Sequence, residues 1–161
     1  MRKLSIMFDD GKVDMSTIEE FEKDIGFCLP MNYKKLISEH NGLDPVEECY
    51  EFINVYGDKY EGAISFIRFG NDTVKDLMYI SQRISDPVYY GIPNLVAFGD
   101  FGNGDVICFD YRDDPKTCNP KVVHVYHDDY TENEDGTFSM TVNFVANSFE
   151  EFIDMLYEDD E

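Results

Sequence analysis

The sequence predicts an α+β fold with a largely antiparallel sheet. Three observations predict it: amphipathic helix signals fill residues 16–42, short apolar runs bounded by Gly, Asn and Asp follow, and a period-two segment at 138–146 leads directly into a capped helix. Helices first, then hairpin-linked strands, then a closing helix is the order of an α+β domain.

Ser16-Thr17-Ile18-Glu19 has the form of a capping box, with Ile18, Phe21 and Ile25 on one face and Gly26 as the stop. Pro30 suits the start of a second helix, because its missing N–H is not needed in the first turn. Tyr33, Leu36, Ile37 and His40 form that helix's apolar stripe, and Asn41-Gly42 ends it. A third helix is expected from Asp72 to Ile84, closed by Asp86-Pro87. Ala63–Phe69, Leu95–Phe98, Val106–Phe109 and Lys121–His127 read as strands. The glycines between Phe98 and Val106 supply a hairpin turn. Phe138, Met140, Val142, Phe144 and Ala146 alternate with polar residues, which predicts a strand with these five on the core face. Ser148-Phe149-Glu150-Glu151 is a second capping box, followed by Phe149, Phe152, Ile153 and Leu156 facing inward.

The 161 residues read as a single domain, with its core at about 16–157 and an acidic end at 158–161. A chain this long buries roughly 68–70% of its unfolded surface and needs no staple. Its four cysteines show no framework spacing, so they are expected to be reduced thiols in a cytoplasmic protein. No apolar run reaches membrane-helix length. Charge is the unusual property: the net charge is −21, and residues 122–161 carry 12 acids and no Lys or Arg. Such a field repels nucleic acid and anionic membranes and attracts basic proteins. General acidity for solubility is the plainer explanation of the same numbers.

The signals for chemistry are weak. His124 and His127 lie three apart in a strand, hence on opposite faces, which argues against a shared metal; Asp128 and Asp129 leave room for a site at the strand end. His40 suits a helix C-terminus. No cysteine adjoins a base, and Cys28 and Cys108 read as small buried hydrophobes. Gly99-x-x-Gly102-x-Gly104 precedes a strand and carries acids with no Lys, so a phosphate cradle is rejected. Aligning Gly136 with the glycine of a calcium loop puts Thr131 first and Val142 twelfth, so that motif fails too. No catalytic residue, metal ligand or cofactor is expected, and His124, His127 and the cysteines are expected to be dispensable for activity.

What remains is an acidic segment, Asp128, Asp129, Glu132, Glu134 and Asp135 with Tyr130, read as a loop between two strands. A solvated hairpin tip and a patch for a basic partner explain it equally well on physical grounds. The hairpin carrying Asp100, Asn103 and Asp105 is the second candidate contact.

Taken together, the motifs resemble the SUKH superfamily of bacterial toxin-immunity proteins and a fungal cell-wall-synthesis regulator. The residues that carry the likeness are Ile18–Glu22 to Gly26, Leu29-Pro30 with Tyr33, Leu36 and Asn41-Gly42, then Phe98-Gly99-Asp100 and Gly104-Asp105 leading to Cys108-Phe109-Asp110. Val122-Val123, His127-Asp128 and Ala146–Phe152 complete it. The resemblance implies helices packed on a curved sheet, no family-wide catalytic site, and a non-enzymatic antidote that binds a basic protein toxin domain, often a nuclease. A nuclease must be basic to hold nucleic acid, so a partner of charge −21 fits it. The alternative is a housekeeping adaptor like the fungal relatives; an enzyme is the third. A toxin gene next door favours the first, an isolated gene the second, and cation-dependent turnover the third. Direct nucleic-acid or membrane binding is not expected, and homo-oligomerisation is left open.

Overall fold

The computed structural model describes residues 1–70, 80, 83–86 and 88–160. A five-stranded antiparallel sheet in the order β5-β6-β7-β8-β9 forms its centre: β5 is Ser65–Phe66, β6 Leu95–Asp100, β7 Val106–Asp110, β8 Lys121–Glu132 and β9 Phe138–Ala146. Helices α1 (Met15–Ile25), α2 (Met31–Glu39) and α3 (Phe149–Met155) accompany it. Two smaller antiparallel pairs complete the α+β architecture, β1 (Ile6–Phe8) with β2 (Asp44–Pro45) and the hairpin β3 (Cys49–Ile53) with β4 (Lys59–Ala63).

One face of the sheet holds the aromatic core. Phe98 stacks on Phe109 with ring centroids 4.1 Å apart, and Tyr33 of α2 and Phe149 of α3 meet both rings edge-on. Edge-to-face packing suits rings with negative faces and positive edges. On the opposite face the register aligns Val106, Val125 and Val142. Tyr90 lies beside that end of the sheet, its carbonyl accepting from the Met140 amide. Strands covered on both faces lose the polar–apolar alternation, which is why Val122–Tyr126 are all buried.

Several expectations need correction. Helix α1 starts two residues earlier than its capping box, with Asp14 at the N-cap and no side-chain cap, because Met15 also packs on the core. The run Ala63–Phe69 serves two sheets, since Ala63 ends β4 while Ser65 and Phe66 pair with β6. The third helix falls largely outside the described residues; residues 83–85 are helical and Ile84 is buried. Strand β9 exists, and Ala146 is buried with Met140 and Val142 packed against the core, but Phe138 and Phe144 are 43% and 50% exposed while Asn143 and Val145 are buried. β9 is the last strand of the sheet, so Phe138 and Phe144 project past the cover, whereas Asn143 sits under the β3–β4 hairpin, accepting from the Val55 amide at 2.9 Å.

Other expectations hold. Gly26 caps α1 with φ +74°. The Ser148 hydroxyl accepts from the Glu151 amide at 3.1 Å, and Glu151 reaches back to the Asn147 amide. Asn41 pairs with Phe69 as a backbone unit would, donating to its carbonyl and accepting from its amide. That pairing gives the Asn41-Gly42 signal a structural role.

The cysteines differ most from expectation. Cys28 and Cys118, 90 residues apart in sequence, form a disulfide, while Cys49 and Cys108 are free and buried. The bridge follows from local packing: Phe27 stacks on Tyr111, and the Tyr111 hydroxyl donates to the Cys28 carbonyl at 2.6 Å. These contacts bring the α1–α2 link onto the loop before β8. Reducing the bridge, or replacing Cys28 by Ser, is expected to lower the unfolding free energy by about 2–4 kcal/mol. Urea midpoints with and without dithiothreitol measure it, and coincident midpoints would mean the bridge contributes nothing.

Candidate functional site

A buried polar constellation grows from the β6–β7 turn. Asp100 accepts from the Gly102 amide and Asn103 from the Asp105 amide, and Gly102 and Gly104 take φ of +85° and +106°. This turn delivers Asp105 to the start of β7 with 1% exposure. A carboxylate there must be fully bonded. It is: His124 Nε2 donates to Oδ2 at 2.7 Å, while the His127 ring and amide approach Oδ1 at 2.5 and 3.0 Å. The Tyr50 hydroxyl closes the chain on His124 Nδ1 at 2.6 Å. Asp105 can only accept, so Nε2 carries the proton that faces it.

Burial pushes the Asp105 carboxyl up, but hydrogen bonds from His124, from the His127 ring and from the His127 amide outweigh it and hold the group down at about 2. Burial also raises the Tyr50 phenol well above its ordinary range, with the Asp105 charge adding to the effect. The tyrosine therefore stays a neutral donor.

The two histidines are thus not ordinary, unrelated strand residues. They meet on one carboxylate despite their spacing, because the β8–β9 register shifts between Val125 and Tyr130 and the bulge turns His127 back toward β7. His124 is fully buried among Tyr50, Phe52, Tyr60 and Tyr126, so replacing it would disturb the core. Asp105, His127 and Asp128 offer ligand atoms within 4.8 Å of one another. Beside the turn lies a cleft of about 280 Å³ lined in part by Arg83, Tyr90, Asp100, Asp105 and Val106.

The acidic segment is mostly strand, since β8 continues to Glu132 and pairs with β9 through Tyr130–Met140 and Glu132–Phe138. Asp128, Tyr130, Glu132, Glu134 and Asp135 are exposed. Asp129 is committed internally, accepting from the Tyr56 hydroxyl at 2.6 Å and Thr141 at 2.7 Å, bonds that lower its pKa. Asp135 is likewise lowered by its bonds from Thr137. Of the second candidate hairpin, Asn103 is exposed, Asp100 is half-buried and Asp105 is withdrawn from any surface contact.

Sequence reasoning missed Tyr50 and the convergence on Asp105. A signal existed: His124 is a lone polar residue inside the apolar run Val122–Tyr126, and a buried polar group needs a partner. It also missed Phe138, whose ring meets Tyr130 edge-on at 5.0 Å. His40 does sit at the C-cap of α2, where its ring bonds Asp9 at 2.7 Å.

Among the described residues, no helix is long and apolar enough to cross a membrane. The model of the SMI1 / KNR4 family (SUKH-1) matches residues 12–155. No curated protein matches the chain significantly.

Proposed function

Because the chain belongs to the SMI1 / KNR4 family (SUKH-1), we propose that it is an immunity protein that neutralises a basic toxin domain, a nuclease in the first instance, by stoichiometric occlusion and without catalysis. The observation that carries this reading is an exposed aromatic pair, Tyr130 and Phe138, set among Asp128, Glu132, Glu134 and Asp135. Aromatics supply contact energy at interfaces, and charges steer the encounter. The register puts Tyr130 and Phe138 on the same face as Met140, so the surface is a ribbon face with an acidic rim.

The two parts separate kinetically. Exposed charges are screened over about 8 Å at physiological salt. Changing Asp128, Glu132, Glu134 and Asp135 to Lys should slow association with a cognate toxin domain, strongly at low salt and weakly at high salt. Asp129 is left intact because its carboxylate bonds Tyr56 and Thr141. Tyr130→Ala should speed dissociation and leave association nearly unchanged. A folded charge-reversed variant with unchanged association at every salt concentration would move the interface elsewhere, first to Asp100 and Asn103. The action is cytoplasmic in this reading, where a reducing thiol pool would act on the Cys28–Cys118 bridge. The stability of the reduced form therefore bears directly on it.

A further inference from the structure

We infer that Asp105, His127 and Asp128 form a binding site for a first-row divalent metal ion, zinc foremost, where β7 begins and β8 bends. The inference rests on side-chain geometry and is independent of the toxin reading. Asp105 comes from the turn before β7 and His127 and Asp128 from β8, and their ligand atoms lie within 4.8 Å of one another.

Two features hold the donors in place. Asp105 Oδ2 is bonded to His124 Nε2, and His124 is anchored through Nδ1 by the Tyr50 hydroxyl. That leaves Oδ1 as the oxygen directed at His127, the outer-sphere arrangement that orients ligating carboxylates. The His127 ring in turn packs against Gly104, where a Cβ would come within 2.9 Å of its Cγ. Any larger residue at 104 would displace the imidazole.

His127 Nδ1 and Asp105 Oδ1 are 2.5 Å apart with a proton between them. A metal ion takes the place of that proton, and a small opening of the pair allows two ligand bonds of about 2.0–2.2 Å. The displaced proton leaves to solvent, as metal binding to protonated ligands requires. Asp128 is exposed and supplies the third ligand from the solvent side, with water completing the shell. One imidazole with two carboxylates suits zinc and its neighbours better than magnesium or calcium, which favour oxygen alone.

A chain of charge −21 also attracts cations diffusely, so the test must separate the site from general acidity. Calorimetric titration of the full chain with ZnCl2 should give one site of micromolar affinity. His127→Ala and Asp128→Asn should each weaken it at least tenfold. His40→Ala, which removes an imidazole bonded to Asp9, should leave it unchanged, as should the double variant Glu132→Gln, Glu134→Gln. His127 and Asp128 face solvent, so these variants should fold, and melting in EDTA checks that they do. A second measurement needs no variant: zinc should protect His127, and not His40, from acylation by diethylpyrocarbonate, read by mass spectrometry. Binding no tighter than millimolar, equal affinity in wild type and His127→Ala, or equal protection of both histidines would each overturn the site.

Discussion

Asp105→Ala is expected to destabilise the protein by about 3–5 kcal/mol, because it leaves several donors without their charged acceptor at about 1–3 kcal/mol for each buried group left unsatisfied. The substitution strips the acceptor from His124, which has no solvent to turn to, and from the ring and amide of His127. Asp105→Asn separates charge from volume, since it keeps the shape but presents a donor to groups that are already donors. Both variants should also change the acid limb of stability. The Asp105 carboxyl titrates at about 2 in the folded chain against 3.8 ordinarily, so between these values the unfolded state binds more protons. Its contribution is complete above about pH 4 and is lost as pH falls through about 2. The stability difference between wild type and Asp105→Asn should therefore narrow over that window in urea titrations. A difference that stays constant from pH 5 to pH 2 would show that the carboxylate is not held in its charged form.

Phe98→Ala is expected to cost about 3–5 kcal/mol and Phe144→Ala only about 1 kcal/mol, although both are strand phenylalanines. Phe98 is fully buried and touches Tyr33, Phe66, Phe109, Phe149 and Phe152, so its loss opens a cavity lined by rings that cannot all collapse. Phe144 is half exposed on the last strand, so much of its ring is hydrated already. The pair compares the two faces of the sheet under one assay, urea midpoints at neutral pH. Equal losses would mean that Phe144 is covered as fully as Phe98.

Local signals were enough for much of the fold. Gly26, Asn41-Gly42 and Ser148 end or begin helices by short-range chemistry, and the glycines between Phe98 and Val106 make a turn whatever surrounds them. The α+β order, the strands at 95–98 and 106–109, the inward Phe149, Phe152 and Ile153, and the acidity of the C-terminal forty residues all followed from the sequence by itself. The family followed as well, because its motifs are mostly these same capping and turn signals in a particular order.

Tertiary structure alone decided which residues of β9 are covered, because period two defines two faces but does not say how far other elements extend over them. The same holds for the Cys28–Cys118 bridge, which depends on the Phe27–Tyr111 contact across 90 residues of chain. It holds most of all for the polar site. Spacing in an ideal strand sends His124 and His127 apart; a bulge in β8 and a turn twenty residues earlier bring both onto Asp105. Alternation describes a regular ladder, and an inserted bulge is a property of the pairing between two strands, which neither strand's sequence contains.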